Sequence, residues 1–180
     1  MSYHTYTTEA HILRTYQYGE HDAVFLMCTE AFGVLRARAT GIRKEDSKLR
    51  YSLQVGAQAA VSLVQGKAGW RVTGAVLRVA PTQGTITLFA RLAKLTERLV
   101  HGSEPNDELF KLFTQCRHAQ DIPSSEIMCV AQMLSSLGYI APERINSLLQ
   151  QPVADQPEYV AQHRPQLLEL INSALTASHL

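Results

Sequence analysis

EAHILRTYQYGEHDAVFLMCTEAFGVLRARATGIRKEDSKLR, residues 9–50, is the stretch whose reading decides the fold. Three runs, Thr8–Tyr16 at its start, Asp22–Ala31 and Gly33–Ile42, are rich in β-branched and aromatic residues or alternate apolar with polar side chains. Both features point to strands, because successive side chains on a strand face opposite ways. Tyr18–Gly19 and Phe32–Gly33 punctuate the runs as turns. Downstream, SLQVGAQAAVSLVQ (52–65) and WRVTGAVLRV (70–79) add two strand-like segments. Gly66-Lys67-Ala68-Gly69 joins them as a hairpin loop. Five strands with no long helix among them fit a small closed barrel better than an open sheet, which leaves exposed edges. Gly41, Gly56 and Gly74 lie inside strand-like stretches and are expected at bulges or barrel corners.

The pattern changes after Pro81-Thr82-Gln83-Gly84, which reads as a connector. Ile86–His101 has neither Gly nor Pro and spaces Leu88, Leu92, Leu95 and Leu99 as one helical stripe. Asn106 is placed to cap DELFKLFTQCRHA, whose Asp107 and Glu108 favour a helix N-terminus. Ser124 or Ser125 is the expected start of a helix that stops at Gly138, with Pro142 beyond it. Pro142–Gln151 reads as a short helix, and Pro165 as the first helical position ahead of QLLELINSALTASHL. The expected architecture is α+β: a five-stranded OB-fold barrel in residues 1–80, then an all-α helical domain in 81–180.

The chain has 180 residues and a formal net charge of +1. By itself that total points to no nucleic-acid or membrane partner. Its distribution says more. Residues 1–80 carry ten Lys/Arg against six Asp/Glu, a net of +4, while residues 81–180 carry seven against ten, a net of −3. Such asymmetry suggests modules with separate partners. The three cysteines, Cys28, Cys116 and Cys129, show no C-x-x-C spacing. This argues against a disulfide framework or a thiolate zinc site, so isolated, small apolar cysteines are expected. The polar start MSYHTYTTEAH lacks a secretory pattern, and no apolar run approaches a membrane span. A cytoplasmic protein is expected.

Six of the basic residues fall between Arg36 and Arg50. Alternation sends Arg36, Arg38 and Thr40 to one strand face and Leu35, Ala37 and Ala39 to the other. Two guanidinium groups roughly 6.6 Å apart along a strand suit successive phosphates, which each planar fork grips through paired hydrogen bonds. Arg43, Lys44, Lys48 and Arg50 continue the charge into the next loop. A basic middle strand and adjacent loop match oligonucleotide-binding barrels, although a solvated strand face gives the same composition. Tyr16, Tyr18, Tyr51 and Trp70 are candidates for base stacking, and serve equally well as rim or core residues. The chain contains no G-x-G-x-x-G, P-loop, H-E-x-x-H or G-x-S-x-G motif, and its seven histidines are scattered. A protein without catalytic residues, metal or cofactor is expected.

Read together, Leu13–Arg14, Tyr18-Gly19-Glu20, Gly33, Gly41-Ile42-Arg43-Lys44 and Ser47–Lys48 form an ordered pattern that resembles the RecO family of bacterial recombination mediators. GKAGWRVTGAVL is similar to that family's last barrel hairpin, and SEPNDELFKLF and LSSLGYIAPE are similar to its helical segments. The resemblance implies a nucleoid-associated, cytoplasmic DNA-repair mediator that binds single- and double-stranded DNA and promotes annealing. It also implies partnership with RecR and single-stranded-DNA-binding protein in loading RecA. Carried over by position, Arg14, Arg36, Arg38, Arg43, Lys44, Lys48 and Arg50 are the expected DNA contacts. Residues 142–180 hold no cysteine, so the four-cysteine zinc module of many family members is not expected. The alternative is an interaction adaptor of the same pathway without strong DNA binding of its own.

Overall fold

Strand-forming runs at the N-terminus pair in sequence and then close on themselves. The computed structural model describes residues 4–118, 122–146 and 157–177. Strands β1 (Thr5–Tyr18), β2 (Asp22–Thr29), β3 (Gly33–Ala39), β4 (Gln58–Gly66) and β5 (Gly69–Val79) form a closed barrel in the order β1-β2-β3-β5-β4. All neighbours are antiparallel except β3 and β5, which pair in parallel through Ala37↔Trp70, Arg38↔Arg71 and Ala39↔Val72. That short parallel seam closes an OB-type barrel, as the strand-rich first half led one to expect.

Two glycine expectations and one strand boundary are corrected. The fourth strand starts at Gln58, not Ser52. A 3₁₀ turn at Lys48–Tyr51 leads into a stretch that crosses β1 through Gly56 N–H to Ile12 O and Ile12 N–H to Ala57 O. Leu53 and Ala57 are buried there with the barrel cluster, so this segment runs along the edge of β1 just ahead of β4 and adds to the barrel core. Gly41 and Gly56 lie in the loop between β3 and β4, both at positive φ, instead of inside strands. Gly74 does meet a register shift, because Ser62 pairs with Gly74 while Leu63 pairs with Val72.

The second half consists of α1 (Gln83–Leu99), α2 (Asp107–Gln115), α3 (Ile122–Ser136), α4 (Pro142–Asn146) and α5 (Pro157–Ala177). Thr82 caps α1, and Asn106 caps α2 by accepting a 2.8 Å hydrogen bond from Leu109 N–H. Helix α1 thus begins inside the supposed connector, which shrinks to two or three residues. Helix α3 starts at Ile122, ahead of the serines proposed as its cap. It ends as expected at Gly138, whose φ of 79° lets Tyr139 N–H reach back to Leu134 O. Pro165 does not begin a helix but lies inside α5. Residues from Pro157 onward already wind, and Val160 is buried ahead of the proline. The remainder of the expected helix to Gln151 lies outside the described residues.

Two apolar clusters hold the chain together. One fills the barrel with Ile12, Phe25, Met27, Leu35, Val61 and Leu63. The other joins helices to the outer barrel wall, where Leu13, Leu26, Cys28 and Val34 meet Phe89, Leu92, Leu109 and Phe113. Cys28 is buried as expected, and desolvation pushes its thiol up to about 12. Cys116 and Cys129, by contrast, form a disulfide where isolated thiols were expected. Helix packing sets that pairing: the end of α2 faces the middle of α3, a proximity the 13-residue separation does not reveal.

Candidate nucleic-acid interface

A one-residue irregularity in β1 aims the basic residues. Ile12 pairs with Met27 but Arg14 pairs with Leu26, leaving Leu13 as an extra residue. An inserted residue reverses the inward–outward alternation beyond it. Leu13 therefore faces outward under the helices, and Arg14, Tyr16 and Tyr18 follow on the same outer face. Across the sheet, Arg14 lies level with Leu26 and Arg36, and Tyr16 with Val24 and Arg38. The β3–β5 seam then sets Arg38 level with Arg71. Three strands and a closing fourth thus build one cationic face.

Carboxylates order this face. Glu97 of α1 accepts hydrogen bonds from Arg14 Nη1 at 2.7 Å, Arg36 Nη2 at 2.8 Å and the Tyr16 hydroxyl. Burial pushes the Glu97 carboxyl up, but the Tyr16, Arg36 and Arg14 hydrogen bonds outweigh it and hold the group below its ordinary value. The Tyr16 phenol is raised by its partial burial and by the same carboxylate. Asp22 is lowered because its Oδ1 accepts from Gly41 N–H at 2.8 Å and its Oδ2 from Arg38 Nε at 2.9 Å. The Arg38 guanidinium also lies 4.3 Å over the Tyr18 ring.

Between the β1–β2 turn and the β4–β5 hairpin, this face sinks into a cleft of about 670 Å³. Tyr18, Arg36, Arg38, Lys67, Trp70 and Arg71 contribute to its walls. Four of the expected residues, Arg36, Arg38, Tyr18 and Trp70, are therefore brought together. Arg14 and Tyr16 adjoin them through Glu97. Arg43 is tied to the β1–β2 turn by its N–H to His21 O and by Nη1 to Gly19 O, and Lys44 follows it. Lys48, Arg50 and Tyr51 sit on the 3₁₀ turn and do not line the cleft. Trp70 also packs against Phe32 and Tyr6, with ring centroids 5.0 and 5.8 Å away.

Lys67 and Arg71 are additions to the expected set. Neither forms an ion pair or side-chain hydrogen bond among the described residues, so both cations are free within the cleft. The alternation of WRVTG already turns Arg71 outward. Its place beside Arg38 depends on the parallel seam, a long-range pairing with no local signature. Lys67 read only as a turn residue.

Residues 1–78 match the family model described as Recombination protein O N terminal, which covers the whole barrel to within one residue of the end of β5. The chain belongs to the RecO family. It is 32% identical over 142 residues to the DNA repair protein RecO of Heliobacterium modesticaldum, covering 74% of this chain and 52% of that protein. It is 28% identical over 145 residues to the DNA repair protein RecO of Dehalococcoides mccartyi, covering 76% of this chain and 57% of that protein. The chain therefore spans about half the length of the curated RecO relatives it matches. Among the described residues no helix is long and apolar enough to cross a membrane, and no group of three His, Cys, Asp or Glu is placed to hold a metal.

Proposed function

We propose that the chain acts in DNA repair as a RecO-type mediator whose barrel cleft binds the nucleic-acid backbone. The observation that carries this reading is the row Arg36, Arg38 and Arg71 on one face, flanked by Lys67, Tyr18 and Trp70 between the two loops. OB barrels bind oligonucleotides on the β2–β3 face between these same loops, using cations for phosphates and aromatic faces for bases. Arg14, Arg43 and Lys44 extend the face beside the β1–β2 turn, while Lys48 and Arg50 form a more distant flank. Strand annealing, and cooperation with RecR and single-stranded-DNA-binding protein in loading RecA, are the activities proposed for such a chain.

Fluorescence anisotropy of labelled single-stranded DNA across a salt series tests the cleft. Each neutralised phosphate contributes about −0.7 to the log–log slope on single strands. Replacing both Arg38 and Arg71 by Ala should weaken binding and flatten the slope by about 1.4. An unchanged affinity and slope in that variant would remove the cleft from consideration.

A second reading, the interaction adaptor without strong DNA binding, draws on the carboxylates that already pair with Arg14, Arg36 and Arg38. It expects no salt-sensitive DNA binding even at low ionic strength, together with retained pull-down of RecR or single-stranded-DNA-binding protein.

A further inference from the structure

Arg14 and Arg36 come from different strands and converge on the two oxygens of a single carboxylate, which arrives from the other half of the chain. The Tyr16 hydroxyl adds a third donor to it. The guanidinium-bearing side chains remain 41% and 60% exposed, whereas that of Glu97 is only 16% exposed. Three donors thus converge on one anionic group, with the cations open to solvent and the anion behind them. A backbone phosphate offers the same charge sign and the same oxygen acceptors.

We infer that Glu97 is a built-in phosphate surrogate: its carboxylate occupies the Arg14–Arg36 pair, and nucleic acid must displace it to engage that pair. The inference rests on the proposed DNA-binding role of the cleft. Lys67 and Arg71 are the cations free for a first encounter, and the Arg14–Arg36 site opens second. Displacement is feasible because both arginine side chains stay open to solvent, where an incoming phosphate can reach them and water screens their hold on Glu97. Because Glu97 belongs to α1, its release also couples DNA occupancy of the barrel to the helical half. Glu97 is therefore a specificity-setting residue, weakening loose contacts with polyanions until several phosphates bind together.

The test is Glu97→Gln, which keeps the side-chain shape and an oxygen for Tyr16 but removes the charge. Anisotropy with single-stranded DNA should show about three- to tenfold tighter binding at low salt and a slope steeper by about 0.7 to 1.4. Glu126→Gln makes the same charge change at the Arg91 pair, which lines no part of the cleft, and should leave affinity and slope near those of the parent chain. In an Arg14→Ala/Arg36→Ala background, Glu97→Gln should give no gain. Unchanged or weaker binding by Glu97→Gln overturns the inference, as does an equal gain from Glu126→Gln or a gain that survives loss of both arginines. Absence of salt-sensitive binding in every variant overturns the DNA-binding reading itself.

Discussion

At position 11 an imidazole lies between the barrel wall and the helices. His11 is fully buried, its Nε2 is 3.0 Å from the Thr114 hydroxyl, and Phe89, Phe110 and Phe113 surround its ring. Desolvation, reinforced by the nearby Arg117 guanidinium, lowers its pKa to about 3. The unfolded chain protonates this group near its ordinary 6.5, so between the two values the unfolded state binds the extra proton. Stability is therefore full above about pH 6.5 and falls as the pH drops toward 3. Urea titrations should show a loss of about 2 kcal/mol between pH 7 and pH 5, with a much shallower dependence in His11→Gln. Equal slopes in parent and variant would show that His11 carries no such linkage. Sequence alone hid this role because His11 was one of seven scattered histidines. The legible signal was position: in HILR, Ile12 turns into the barrel, so His11 and Leu13 must face whatever covers its outside.

Among the elements, α2 shows how a local rule acquires a long-range task. Asn106 caps the helix through Leu109 N–H and also donates from Nδ2 to Ser136 O at 3.3 Å, joining the start of α2 to the end of α3. Asn106→Ala should lower unfolding free energy by about 1 kcal/mol or slightly more, and Asn106→Asp should restore most of that loss by keeping the cap. Equal losses in the two variants would shift the weight from the cap to the Ser136 bond. The cap was legible because Asn before Asp-Glu is a local pattern, as was the strand alternation that turned Arg36 and Arg38 outward. The β1 irregularity, the β3–β5 seam and the continuity of α5 through Pro165 were not. Each of these depends on partners distant in the chain or on packing that overrides a residue's local preference. The cationic cleft was thus visible as a composition, while Arg71, Lys67 and the carboxylates that order it required the closed barrel.

The whole molecule raises the question of whether residues 1–80 and 81–180 fold as separate units. Its two apolar clusters share strands: in β1, β2 and β3 one side chain enters the barrel while its neighbour enters the helical cluster. Stripped of helices, the barrel would expose His11, Leu13, Leu26, Cys28 and Val34 as one apolar patch. Glu97 and Arg14 add a polar tie across the same junction. Gly33 lets the two backbones come close, since its φ is +64° and a Cβ there would collide with Glu104 O in the loop before α2. Such shared burial predicts a single cooperative unfolding transition, and the chain reports its halves separately. Trp70, the one tryptophan, follows the barrel, and far-ultraviolet circular dichroism at helical wavelengths follows the other half. The two signals should give the same urea midpoint. Leu13→Ala, which removes a fully buried side chain from the junction, should shift both midpoints together by an amount equivalent to about 2–5 kcal/mol. Two separated transitions, or a shift confined to the helical signal, would mean that the halves are autonomous and that Glu97 tethers independent units instead of reading out one.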